Sequence, residues 1–355
     1  MANQASNPRA PEQLGRYSLI ELLGVGGMAE VFKARCTGPG GFQRTVVVKR
    51  ILPANTRRPE FVRMFVSEAK ILGMLHHPNV VQVYDFGESD GNLFLVLEYV
   101  DGPSLAEAIL ALREAGRSIP PMVAARIAHQ ICLALDHVHN LLDADGVPLN
   151  VIHRDVTPSN IVLNSAGAIK LLDFGVAKYR ASQSRSQQGT LKGKPAYLAP
   201  ETLERGAIDR RIDLFAVGVV LHELLTLEHL FEGDNTAITF NRVLRMPVPL
   251  PSRVRRDVPP ALDAIVMKSL ERDPTERYQT AHEMAVALDR LLVAEAAGTD
   301  DAIAFAGELA ALVRPTPVPA ERKTGTTIAA NTRRYFTRRL RASRVGKILF
   351  GPAKA

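Results

Sequence analysis

Near residue 100 the hydrophobic pattern of this 355-residue chain changes period. Before that point Tyr17–Leu23, Ala29–Ala34, Thr45–Ile51, Val80–Asp85 and Leu93–Leu97 are short β-favouring runs separated by Gly, Pro, Asn or Asp. One helical pattern interrupts them, with Phe61, Phe65, Leu72 and Leu75 at helical spacing over Pro59–His76. Five strands joined by short turns predict an antiparallel sheet carrying one helix. From Ser104 onward the pattern is helical over Ser104–Ala115, Pro121–Leu142, Leu214–Leu225, Ala261–Leu270 and Thr280–Leu292. Two short strand pairs are expected near Val151–Val162 and Ile169–Leu172. Leu214–Leu225 is apolar on nearly every face, which marks a buried helix. The fold class is therefore α+β: a small antiparallel β lobe, a larger helical lobe and a cleft between them.

Composition removes several alternatives. With 46% hydrophobic and 23% charged residues, the chain is no disordered, collagen-like or disulfide-scaffold protein. Its two cysteines, Cys36 and Cys132, suit a reduced, cytoplasmic protein. The N-terminal MANQASNPRAPEQ has no apolar core to serve as a secretory signal, and residues 1–15 are expected to be flexible. The longest apolar run, Leu214–Leu221, is closed by His222 and Glu223. It falls well short of the roughly 20 residues a membrane span needs.

The net charge of +7 is concentrated at one end. Residues 314–355 hold eleven Lys/Arg and one acid, whereas the preceding 313 residues hold 33 Lys/Arg and 36 Asp/Glu. The body is thus near neutral and the tail is basic. Residues 293–313 read as a helical extension, with a helix over Asp300–Val313. Within the tail, Asn331–Phe350 interleaves its charges with Tyr335, Phe336, Leu340, Val345, Ile348 and Leu349. A solubilising disordered segment has this composition. So does one that contacts a protein surface, an anionic membrane or nucleic acid.

Five motifs carry chemistry. Gly24-Val25-Gly26-Gly27-Met28-Ala29-Glu30-Val31 lies between two strands, where glycine lets backbone N–H groups approach a polyphosphate. Lys49 ends the apolar run Val46-Val47-Val48, either as the strand's exit to solvent or as a point cation for phosphates. Glu68, nineteen residues on, is a solvated helix residue or the carboxylate that fixes that lysine. His153-Arg154-Asp155-Val156-Thr157-Pro158-Ser159-Asn160 supplies a candidate general base, a neighbouring cation and an amide oxygen. The carboxylate of Asp173-Phe174-Gly175 suits a hard cation such as Mg²⁺. Ala199-Pro200-Glu201 follows, with Asp213 opening the buried helix and Arg277 far downstream.

In this order and spacing the motifs resemble those of the eukaryotic-type protein kinases, over roughly Tyr17–Leu292. The GGMAEVF wording, the Asp143–Asn150 insertion and GKPAYLAPE resemble the bacterial serine/threonine branch. The resemblance implies a kinase domain over residues 16–292, with lobes at 16–99 and 103–292. It also implies ATP and Mg²⁺, with Mn²⁺ as a substitute, protein substrates, and a homodimer as one assembly. Lys49 would hold the α/β-phosphates and pair with Glu68. Leu23, Gly24, Gly26 and Gly27 would cover the nucleotide, and Asp173 and Asn160 would bind the metal. Asp155 would accept the proton of the substrate hydroxyl. Adenine would lie against Val31, Val47 and Val162, with Leu97 at the back and its edge on the backbone of Glu98 and Val100. Glu201–Arg277 would be a buried ion pair, and Asp213 an anchor for the catalytic-loop backbone.

Thr190 occupies the place of an activating phosphothreonine, with Arg154 and Lys178 as partners of its phosphate. The sequence departs from the family pattern at three points. Ala29 replaces the third loop glycine. Thr157 stands where serine/threonine kinases usually carry lysine, and Lys194 stands where they carry threonine. A lysine reaching the phosphates from the other side of the site is one account, since its charge rides on a flexible stem. A nucleotide-binding pseudokinase scaffold is the rival reading, and an adaptor built around the basic tail a second.

Overall fold

The computed structural model describes residues 12–173, 195–204 and 206–313. Thr190, Lys194, Lys178 and the basic tail lie outside the described residues. The β lobe contains β1 (Gln13–Leu14), β2 (Tyr17–Val25), β3 (Ala29–Thr37), β4 (Gln43–Ile51), α1 (Pro59–Met74), β5 (Val83–Ser89) and β6 (Asn92–Glu98). The strands form one antiparallel sheet in the order β1-β2-β3-β4-β6-β5.

Strand periodicity assigns the two faces. Ala34, Val46, Val48, Phe94 and Val96 turn to one side, where they pack with Leu14, Tyr17 and Leu19 in a small core. Val31, Val47, Lys49, Leu95 and Leu97 share the other face, because Lys49 is paired with both Val31 and Leu95, and Val47 with Leu97. That second face looks onto α1 and the cleft. Helix α1 opens on Pro59, suited to a first-turn position whose N–H has no helical partner, and buries Phe61, Met64, Phe65, Glu68, Ala69 and Leu72.

The second lobe contains α2 (Leu105–Glu114), α3 (Pro121–His139), β7 (Ile161–Leu163), β8 (Ile169–Leu171), α4 (Pro200–Leu203), α5 (Arg211–Thr226), α6 (Thr236–Arg245), α7 (Pro251–Val254), α8 (Pro260–Ser269), α9 (Ala281–Ala294) and α10 (Thr299–Val313). Helix α2 starts on a capping box, with Ser104 and Glu107 satisfying each other's backbone N–H. Residues Ile212–Leu225 of α5 are all buried, as their continuous apolarity requires. Helix α3 packs against α5 and α9, and α8 against α5. Helix α10 seats Phe305, Ala306 and Leu309 in the main core beside α2 and α3. Among the described residues no helix is long and apolar enough to cross a membrane.

Two strand assignments change. The run expected at Val80–Asp85 becomes a strand only from Val83, because Asn79–Val81 is bound elsewhere. Leu171 N–H donates to Asn79 O at 2.8 Å, and Val81 N–H to Leu171 O at 3.1 Å. Near Val151–Val162 only Ile161–Leu163 is a strand, and with Ile169–Leu171 it makes one pair rather than two. The loop before it is held by a buried carboxylate, since His153 and Arg154 N–H donate to Asp213 at 2.8 Å each.

The connection from β6 to α2 runs against β7. Leu163 N–H donates to Pro103 O at 3.0 Å, and a Cβ on Gly102 would meet Leu163 O at 2.0 Å. Only glycine permits this approach. Gly102→Ala is expected to lower stability by about 1–3 kcal/mol, the usual range for overpacking. Urea denaturation checks the effect.

Candidate active site

An ammonium taken from water needs compensating charge. Lys49, mid-strand in β4 and 7% exposed, has two carboxylates. Its Nζ lies 2.6 Å from Glu68 Oε1 and 2.7 Å from Asp173 Oδ1. Burial alone would lower its pKa, but the charges and hydrogen bonds of Asp173 and Glu68 outweigh that and hold it above the ordinary lysine value. The readings of Lys49 as an exit to solvent and Glu68 as a solvated residue are thereby replaced: Glu68 is 1% exposed.

The glycine-rich segment is the tip of the β2–β3 hairpin. Gly26 N–H donates to Ala29 O at 2.8 Å, and the pairing slips between Leu22 and Gly24. Asn55 supports the tip from below, its Nδ2 donating to Gly27 O at 3.3 Å. A Cβ on Gly24 would meet nothing within 4 Å, so the tip borders open space. Leu23 is exposed, Val31 and Val47 are half-buried, and Leu97 and Val162 are buried. Glu98 and Val100 sit at the end of β6, where it leaves the sheet. Glu98 N–H donates to Gln82 O at 2.8 Å, while its carboxylate takes Lys170 Nζ at 2.8 Å. A bridge between Ser104 and Val162 brings β7 to the same connection. The apolar residues expected around a planar base thus line the lobe junction.

Across the cleft Asn160 Nδ2 donates to the carbonyl of Asp155 at 2.8 Å and to its Oδ2 at 2.7 Å. These bonds orient the Asp155 carboxylate and leave the Oδ1 of Asn160 as its ligand atom. A carboxylate at Asp173 and an amide oxygen at Asn160 are the hard donors Mg²⁺ prefers, so the residues fit that ion. Two non-glycine residues adopt positive φ here, Arg154 at 65° and Asp173 at 34°. Such conformations cost about 1–3 kcal/mol each and persist only where surroundings enforce them.

Those surroundings are visible. Asp213, 1% exposed, accepts the two backbone N–H groups of the loop and a bond from His139 Nε2 at 2.8 Å. Burial would raise its pKa, but the hydrogen bond and charge of His139 outweigh that and carry it below the usual carboxylate value. His153 is fully buried, and burial lowers its pKa, keeping the ring neutral. Its Nε2 bonds Leu172 O at 3.0 Å and its Nδ1 accepts Asp155 N–H at 3.3 Å. A neutral imidazole with the proton on Nε2 satisfies both contacts. It links the residue before Asp173 to Asp155.

A cleft of about 320 Å³, including its open mouth, lies beside Asp155 and is also lined by Thr157, Tyr197, Ala199, Thr202 and Ala216. Thr157 is buried, and its hydroxyl lies 3.1 Å from Ser159 Oγ. Lys194, expected opposite it, lies outside the described residues, as does Thr190. Glu201 and Arg277 form the expected ion pair, with two bonds of 2.7 and 2.8 Å and Arg277 only 2% exposed. Sequence reasoning missed Asn55, the His153–Leu172 bond and the partners of Glu223. Only Glu223 gave a signal, as an acid beside His222 closing the apolar run of a buried helix.

A lysine clamped between a helix carboxylate and a metal-type carboxylate, facing an Asp–Asn loop across two lobes, defines a protein kinase domain. The sequence matches that domain, described as "Protein kinase domain", over residues 17–287, and the chain belongs to the protein kinase family. It is 39% identical over 288 residues to Tyrosine-protein kinase MasK of Myxococcus xanthus, covering 80% of this chain and 44% of that protein. It is 38% identical over 320 residues to Serine/threonine-protein kinase PknB of Mycolicibacterium smegmatis, covering 88% and 48%. The chain thus spans about half the length of the curated relatives it matches. The crystal structure of the Mycobacterium tuberculosis PknI kinase domain superposes with a TM-score of 0.58 at 26% identity, covering 80% of this chain and 99% of that one.

Removing Lys49 would take the cation from the buried Glu68 carboxylate. Lys49→Met is expected to abolish phosphotransfer and to cost about 3–5 kcal/mol of stability, as breaking a buried pair does. Adding Glu68→Gln should recover much of the stability and none of the activity. Urea midpoints and a phosphate-transfer assay separate the two roles.

Proposed function

We propose that the chain is a protein serine/threonine kinase that transfers the γ-phosphoryl group of ATP to protein hydroxyls in bacterial signalling. The observation that carries this reading is the paired geometry at Lys49 and Asp155. One fixes a cation between two lobes, and the other presents an oriented carboxylate to an open cleft. Its hydroxyl specificity is drawn from PknB and from PknH of Mycobacterium bovis, 36% identical over 290 residues, both named serine/threonine kinases. The name of MasK makes tyrosine the second reading.

In this proposal Lys49 and the backbone of Gly24, Gly26 and Gly27 bind the polyphosphate. Val31, Val47, Leu97 and Val162 enclose the base, and the backbone of Glu98 and Val100 meets its edge. Asp173 and Asn160 would hold Mg²⁺, which would supply charge neutralisation at the phosphate oxygens. Asp155 orients the acceptor hydroxyl and takes its proton. Lys49 also holds one oxygen of Asp173, which places the cation beside the carboxylate that would take the metal. Positioning and charge neutralisation supply most of the rate. The catalytic unit is residues 16–292, with 293–313 as a helical extension and 314–355 as a basic tail for a protein, lipid or nucleic-acid partner. The site of action proposed is the cytoplasm.

Within the same proposal Thr190 is the activating phosphosite, and Lys194 supplies the ammonium that Thr157 lacks. Autophosphorylation with Mg²⁺ and ATP, mapped by mass spectrometry, tests the whole reading. Wild type should incorporate phosphate at Thr190. Asp155→Asn should be slower by about 10²–10⁴-fold, the usual contribution of such a base. Phosphotyrosine alone would favour the second reading, and nucleotide binding without transfer would favour a scaffold.

A further inference from the structure

Tyr197 lines the cleft beside Asp155, yet its hydroxyl is bound behind the cleft wall. It donates to Glu223 Oε2 at 2.5 Å. Glu223 lies near the end of α5, its side chain 2% exposed. Its second oxygen, Oε1, lies 2.8 Å from Nδ1 of His229. The other ring nitrogen of His229 is 3.3 Å from Glu232 Oε2, and the His229 side chain is 43% exposed. Three side chains therefore connect solvent, a buried carboxylate and the wall of the acceptor cleft.

Both ring nitrogens of His229 face carboxylates, and only the imidazolium donates to both. The charged groups acting on it are Glu223 and Glu232, which favour the proton, and Arg113, which opposes it. The hydrogen bond to Glu223 is the largest influence, and it outweighs burial to hold the histidine above its ordinary value of 6.5. Tyr197 stays a neutral donor, because burial and then the charge of Glu223 raise its pKa. Arg113 is itself fixed by a bond from its Nε to Leu227 O, at the end of α5.

We propose that His229 is a positioning residue for the acceptor side of the cleft: as imidazolium it fixes the Glu223 carboxylate, which in turn holds Tyr197 beside Asp155. The proposal rests on the phosphotransfer reading above. When His229 loses its proton, the buried Glu223 carboxyl loses its cationic contact. That arrangement is costly, and the hold on Tyr197 slackens. Because the folded-state value is raised, the pairing is complete at pH below the ordinary histidine value. It is lost as pH rises through the raised one. The nucleotide side of the cleft has no part in this path.

The test uses the full chain as enzyme and a second copy carrying Asp155→Asn as protein acceptor, varying acceptor and ATP separately across pH. His229→Ala is expected to raise the KM for the acceptor about three- to tenfold, the scale of one ordinary net hydrogen bond, with the KM for ATP unchanged. In wild type the acceptor KM should climb as pH rises through the His229 titration. His229→Ala should abolish that climb, and His229→Lys should keep the KM low to higher pH. Equal changes in both KM values, or a wild-type pH profile in His229→Ala, would overturn the proposal. If wild type transfers no phosphate, the phosphotransfer reading fails instead. Histidine NMR then decides the coupling: His229, assigned by its loss in His229→Lys, should titrate above 6.5 and fall in Glu223→Gln. A value at or below 6.5 sinks the inference on its own.

Discussion

The buried ammonium of Lys49 is the constraint on which the cleft depends. A charge so desolvated is tolerated only with carboxylates in contact, and the chain supplies one from each lobe. Glu68 must therefore ride on a helix that packs under the sheet, which explains the apolar face of Phe61, Phe65 and Leu72 around it. Asp173 must follow β8 closely enough to reach across. The ion pairs thus tie α1, β4 and the segment after β8 into one arrangement, and the other cleft residues are placed relative to it.

Asp213 does for the His153–Asp155 loop what Lys49 does for the junction of the two lobes. Its carboxylate sits beneath a loop whose Arg154 takes a left-handed backbone, and it accepts the two N–H groups that conformation turns inward. His139 supplies the balancing donor. With His153 bonded to Leu172 O, the two sides of the site share one hydrogen-bonded foundation. Its members lie 14 to 74 residues apart in sequence, as His139 to His153 and to Asp213.

The architecture was largely legible because hydrophobic period reports local structure. The two-lobed division, the helix at Pro59 and the fully buried α5 could be read directly. Single motifs were less informative. Lys49 and Glu68 each had a bland reading in isolation, and only their order with Asp155, Asn160 and Asp173 joined them. Where long-range hydrogen bonds overrode local preference, as at Val80–Val81 and Val151–Asn160, strand propensity misled. The His229–Glu223–Tyr197 path left only a trace, an acid beside His222 closing an apolar run, because its partners lie 6 and 26 residues away on unrelated elements.

The two clasps on the β7–β8 pair have a mechanical consequence. Asn79 and Val81 bond β8 on one side, with Asn79 Nδ2 reaching Ile169 O at 3.0 Å, while Pro103 and the Gly102 contact hold β7 on the other. A line through these clasps is the natural axis for rotation of one lobe on the other. Asp173 lies two residues beyond β8, near that axis, whereas the glycine-rich tip lies at the end of a lever. Rotation about such an axis would displace the tip far more than the metal-type carboxylate.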